Sequence, residues 1–130
     1  MFDWLKKKPA VPNGPDFSGI DSQAKAEAHA EAGDLEPLFL LPPEFGGTDD
    51  PRNIVFVPVG FAAIKARMDT NIIHPLVAEG KVTEYQAEPE YQGRSFVPIA
   101  IKIVASSPGS FTATIKIWGR ALERNDDNCA

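Results

Sequence analysis

The sequence predicts a single α+β domain, an antiparallel sheet whose C-terminal part is a β-meander packed against helices. Three observations lead there. At 130 residues the chain has the length of one domain. The helical patterns are grouped ahead of the C-terminal strands, whereas a βαβ fold would alternate the two. From Val82 onward the apolar period switches to two and holds over three successive runs. The globular domain is expected over residues 21–119, with an extended or flexible arm at 1–20 and a polar tail at 120–130.

The arm is punctuated: "PAVPNGPDFSGI", residues 9–20, holds three prolines and two glycines. "DSQAKAEAHAEAG" then offers Asp21 or Ser22 as a helix cap, an alanine-rich interior and Gly33 as a stop. Alanines bury little area, so this helix belongs at the surface or against something flat. "LEPLFLLPP" is a short apolar strand closed by Pro42 and Pro43. In "EFGGTDDPRN", Gly46 and Gly47 permit positive backbone dihedrals, Asp49 and Asp50 can bond their own backbone, and Pro51 fixes the exit into "NIVFVPV", a β-branched strand.

The next stretch, "GFAAIKARMDTNIIHPLVAEG", has a helical stripe of Ile64, Met68, Ile72 and Ile73, with Gly80 as stop. Pro75 cannot donate to the preceding turn, so two helical pieces are expected, near 60–69 and 75–79, broken about Thr70 or Asn71. Three strands follow, "VTEYQAEPEY", "SFVPIAIKIVA" and "FTATIKIWG". The second should present Val97, Ile99, Ile101 and Ile103 on one face; the third, Phe111, Ala113, Ile115 and Ile117, with Thr112, Thr114 and Lys116 outward. "SSPGS" is their hairpin loop.

Several function classes are disfavoured by composition. A net charge of −5, with basic residues clustered only at Lys6–Lys8, offers no broad surface for a phosphate backbone, so nucleic acid is an unfavourable partner. The single Cys129 excludes a disulfide framework and a multi-cysteine zinc site within the chain, and suits a reducing cytoplasm. "MFDWLKKKPAVP" reverses the order of charge and hydrophobicity of a secretory signal, and no membrane span is expected. Phe2, Trp4 and Leu5 beside three lysines have the chemistry of an interfacial contact, but the stretch is too short to hold strongly.

Chemistry-bearing motifs are few. Neither a phosphate loop, nor a dinucleotide fingerprint, nor an HExxH helix occurs. His29 lies in an Ala/Glu helix with no second histidine or cysteine at ligand spacing, and His74 precedes Pro75, where a structural role at a kink is the simpler reading. Glu84, Glu88 and Glu90 share one face of a strand by its period of two; this row could hold a cation, though a solvated edge explains it more economically. Arg94, in "YQGRSF", could grip an anion. Trp118 and Phe96 fall on the outward side of their strands, where exposed aromatics would favour self-association.

Phe45, Gly46, Gly47, Asn53, Ile54, Val55, Met68, Asp69, Asn71, Gly80, Lys81, Glu88, Pro89 and Tyr91 form an ordered set. This set resembles the later half of the DNA/RNA non-specific endonuclease domain of bacterial polymorphic toxins. In that family an FGG turn precedes a strand, a helix carrying Met-Glu-Asn, a "GK" stop and a strand reading EPxY. The likeness spans about residues 35–105 and is carried by scaffold motifs. The family's chemistry needs a histidine base six residues before the FGG phenylalanine and an asparagine early in the helix that holds magnesium. Phe39 and Ala62 stand there instead, and Asp69 is the one matching carboxylate.

The resemblance therefore implies an inactive endonuclease scaffold: a non-catalytic binding or interaction domain, without catalytic residues, metal or cofactor, and with a protein partner. Asp69, Asn71, His74, Glu84, Glu88, Glu90 and Arg94 are its candidate binding residues. Two alternatives stand beside it. One is a metal-dependent nuclease or other hydrolase using His29 or His74 as base; the other is an oligomeric structural protein.

Overall fold

A computed structural model of the chain describes residues 16–123. Its elements run α1 (Gln23–Ala32), β1 (Leu35–Phe39), 3-10 turns at Pro43–Phe45 and Pro51–Asn53, and β2 (Ile54–Pro58). There follow α2 (Phe61–Met68), a π turn (Asp69–Ile73), α3 (His74–Ala78), β3 (Glu84–Glu90), β4 (Ala100–Ser106), β5 (Ser110–Lys116) and a 3-10 turn at Gly119–Glu123. Strands β1 and β2 form one antiparallel sheet, and β3, β4 and β5 a second in that order, so the α+β class and the C-terminal meander are as expected.

The meander's pleat places its core. Register stacks Ala87, Ile103 and Ala113 across one face, flanked by Pro89, Ile101 and Ile115 on one side and by Tyr85, Ala105 and Phe111 on the other. Ile101 and Ile103 are wholly buried, and each such side chain contributes about 1.5–3 kcal/mol relative to exposure. Leu35, Leu38, Val55 and Val57 from the small sheet and Met68 and Ile73 from the long helix join the same core. On the other face Glu84, Gln86, Glu88 and Glu90 are exposed, with Glu88 opposite Lys102.

Local chemistry sets the elements. The Ser22 hydroxyl accepts the Lys25 amide at 3.2 Å to cap α1, and Gly33 ends it with φ of 93°, as read from the sequence. Gly60 brings no side chain to cap α2, so the Glu36 carboxylate of β1 accepts the Gly60 and Ala62 amides at 2.8 and 3.2 Å. The loop between β1 and β2 is closed by Asn53. Its side chain accepts the Leu41 amide at 2.8 Å and donates to the Leu41 and Thr48 carbonyls at 3.0 and 2.9 Å, standing in for a missing strand neighbour. Gly47 lies so close to this junction that a Cβ there would sit 1.7 Å from the Leu41 carbonyl oxygen.

Several expectations are revised. The two helical pieces and their joint about Thr70 and Asn71 are as expected, but the joint is a π turn, and Pro75 sits just after it in the first turn of α3 without breaking the chain's helical course. The wider turn moves Ile72 out of the expected stripe, leaving it 39% exposed while Ile73 is buried. Strand β4 begins at Ala100, and Val97 and Ile99 are buried in the segment before it. Thr114 is buried despite facing away from the core side. Trp118 is 1% exposed; its indole N–H donates to the Val97 carbonyl at 3.0 Å, and Phe17 meets it edge-on. Of the two aromatics expected outside, only Phe96 is exposed.

Residues 16–20, counted above with the arm, pack onto the domain: Ile20 is buried, and the Phe17 and Ile20 carbonyls accept from Ser95 Oγ and the Phe96 amide. Ala121, counted with the tail, is buried too. Residues 1–15 and 124–130, with Lys6–Lys8 and Cys129, lie outside the described residues. No helix among the described residues is long and apolar enough to cross a membrane.

Candidate functional site

Helix α2 enters behind β1, and its i, i+4 spacing sets Lys65 and Asp69 on one inward face. Strand β3 brings Tyr85 to the same point. Lys65 Nζ lies 2.7 Å from Asp69 Oδ2 and donates to the Tyr85 hydroxyl at 2.8 Å, while that hydroxyl donates to Asp69 Oδ1 at 2.8 Å. The three groups close a ring of hydrogen bonds. Lys65 and Asp69 are each only 2% exposed. Burying a lone ion of either sign costs several kcal/mol, and the ring meets that cost by pairing the charges and occupying both carboxylate oxygens.

The electrostatics follow from burial. Desolvation lowers the proton affinity of Lys65, against the pull of the Asp69 carboxylate and, more weakly, of Glu44. Desolvation raises the Tyr85 phenol far above its ordinary value, and the neighbouring Asp69 charge and the hydrogen bond to it push the same way. The phenol thus stays a neutral donor.

Two clefts flank the ring. The smaller, about 150 Å³, is lined by Phe39, Pro42, Pro43, Glu44, Ala62, Lys65, Ala66 and Asp69. The larger, about 510 Å³, lies between the Pro43–Phe45 turn, α3 and the start of β3. Glu44 lines both. The smaller cleft brings together Phe39, Ala62 and Asp69, three positions singled out from the sequence although 30 residues separate the first from the last.

The other candidate residues do not join them. Asn71 is exposed on the π turn, and exposed His74 stacks on Phe45 with ring centroids 6.4 Å apart. Glu84, Glu88 and Glu90 are spread along the open face of β3, with only Glu84 lining the larger cleft. Arg94 is exposed in the loop before β4; it acts weakly on Asp21, whose carboxyl is lowered chiefly by its hydrogen bond from Lys25. Among the described residues no group of three or more His, Cys, Asp and Glu could hold a metal ion. His29 lies 3.1 Å from Asp34, and both line a separate cleft beside Phe17 and Ile20.

Lys65 and Tyr85 were not selected from the sequence. The i, i+4 spacing of Lys65 and Asp69 was visible, but it is also the spacing of an ordinary surface pair. Comparison of the chain with protein-family models, curated proteins and solved structures finds no match.

Proposed function

We propose that the chain is a non-catalytic binding domain with a protein partner, on a scaffold resembling the toxin endonucleases. The observation that carries this reading is the state of Asp69. The one carboxylate that the resemblance matches to the nuclease helix has both oxygens engaged, by an ammonium and by a phenol, in a buried ring. A magnesium ion there would have to compete with Lys65 at 2.7 Å. Phe39 and Ala62, standing where the family has its base and its asparagine, line the same cleft and can neither take a proton nor bind a metal. The acidic balance of the chain favours a protein over a phosphate backbone as partner. The pure protein, incubated with duplex DNA, single-stranded DNA and RNA in magnesium buffer, is expected to leave all three intact. Cleavage that depends on magnesium and disappears in Asp69→Asn would overturn the proposal.

A second reading rests on the His29 and Asp34 pair, a base and an orienting carboxylate in one cleft, which is how a hydrolase begins. That cleft is lined by Asp16, Phe17, Gly19, Ile20, His29 and Asp34, with no hydroxyl or thiol nucleophile among them, and the pair is largely exposed. Any hydrolysis by the protein that survives Asp69→Asn and is lost in His29→Gln would favour this second reading.

A further inference from the structure

The larger cleft has apolar walls and an acidic rim. Leu41, Phe45, Val77 and Tyr85 supply hydrocarbon and aromatic surface, with Val77 41% exposed near the end of α3. Glu44 stands on the turn at one side and Glu84 on β3 at the other. Among the described residues Glu44 makes no hydrogen bond or ion pair, and the hydrogen bond shown for Glu84 is a long one, 3.4 Å from Ser106 Oγ. Among the described residues no basic residue lines this cleft. Lys65, in the adjoining cleft, is already held by Asp69, so the linings of the two clefts together hold three carboxylates and one ammonium.

The half-buried Tyr85 ring lines the cleft as well. Lys65 Nζ is 5.3 Å from its centroid and 2.8 Å from its hydroxyl. This is close to the reach of the ring and hydroxyl in line, so the ammonium sits beyond the hydroxyl and not over a face. Phe45 approaches the same ring tilted by 50°, with centroids 5.6 Å apart.

We infer that this cleft receives a lysine or arginine side chain of the partner protein, an inference that rests on the binding-domain reading. Such a side chain has two chemistries, and the cleft matches both. Its aliphatic stem covers Leu41 and Val77, as long basic side chains do on apolar surface. Its charged head lies between Glu44 and Glu84 and beside the Phe45 and Tyr85 rings, where charge-assisted hydrogen bonds and aromatic faces both favour a cation. The volume falls within the range of about 300–1,000 Å³ usual for ligand sites. An anionic or nucleic-acid occupant meets like charge on both rims.

The test uses the full chain labelled with ¹⁵N and titrated with N-acetyl-argininamide, N-acetyl-lysinamide and N-acetyl-norleucinamide, the last having the stem without the charge. Saturable shifts are expected at the amides of Phe45, Val77, Glu84 and Tyr85 with the two cationic compounds, and not with norleucine. Glu44→Gln combined with Glu84→Gln should weaken the cationic compounds by about tenfold, as the loss of two partly exposed ion pairs implies. Its melting temperature should be unchanged, since both carboxylates lie at the surface. Equal binding of norleucine, an unaltered affinity in the double variant, or no localised shifts would overturn the inference. None of these results bears on the non-catalytic reading, which stands or falls on the cleavage assay.

Discussion

The β4–β5 hairpin and the α2 segment bury their inward faces by opposite means. The hairpin presents Ile101, Ile103, Ala113 and Ile115, all hydrocarbon, and needs no partner chemistry beyond close packing. The helix carries Lys65 and Asp69 to a comparable depth, where each is tolerable only because the other and Tyr85 are present. Hydrocarbon burial makes a scaffold that survives small changes. A buried ion pair adds little net stability over an apolar replacement, so the ring is no more stabilising than the hydrocarbon that could fill its place.

The contrast predicts unlike responses to substitution. Asp69→Ala leaves the Lys65 ammonium unpaired and should cost about 3–5 kcal/mol in urea unfolding. Replacing the whole ring, with Lys65→Met, Asp69→Leu and Tyr85→Phe together, should give a protein within about 1 kcal/mol of the parent or more stable than it, because the same volume is filled without desolvated charge. A triple variant as unstable as Asp69→Ala would break the comparison. In the hairpin, Ile103→Ala should cost about 2–5 kcal/mol by lost transfer energy and the cavity left behind, with no rescue from a second substitution in the ring.

A smaller effect separates the two regions by pH. The folded Tyr85 phenol holds its proton to higher pH than the unfolded chain does. Its contribution is therefore complete below the ordinary phenol value of about 10 and is lost as pH rises through the folded value. Lys65 acts in the opposite sense, since the folded chain releases that proton first and gains stability as pH rises toward the ordinary lysine value. Denaturation between about pH 10 and 12 should show a steeper loss in the parent than in Tyr85→Phe. Absorbance at the phenolate band should show Tyr85 ionising only as the fold opens, after Tyr91, whose phenol is also raised by burial but which is 44% exposed. If Tyr85 ionises with the fold intact, the ring is more open to water than its geometry implies.

The two regions also differed in how far the sequence disclosed them. The hairpin's alternation of Ile101, Ile103, Ile115 and Ile117 with polar residues fixes which face is buried, because a slip of one would turn the isoleucines outward. The caps of α1 and the turn at Gly46 were readable for a similar reason, since Ser22, Gly33 and Gly46 act on their own neighbours, whereas the closure of the β1–β2 loop by Asn53 and the approach of Gly47 to Leu41 were not. The ring depends on contacts that local pattern cannot carry. A lysine is by default a surface residue, and Tyr85 meets Lys65 from 20 positions away in sequence. Asp69 was selected through the resemblance and not through its pairing. Pro75 disclosed a joint about Thr70 and Asn71 but not its form, because a π turn differs from a break only in the backbone hydrogen bonds that local pattern does not carry.

At the centre of the contrast stands the closure of Asp69 to a metal by Lys65 and Tyr85. It is tested most directly by titrating the ¹³C-labelled protein with magnesium and following the Asp69 side-chain carboxyl resonance. The account predicts no saturable shift at Asp69 through the millimolar range, and a shift only when Lys65→Met frees the carboxylate. A saturable magnesium-dependent shift at Asp69 in the parent protein would contradict it and return the site to metal chemistry.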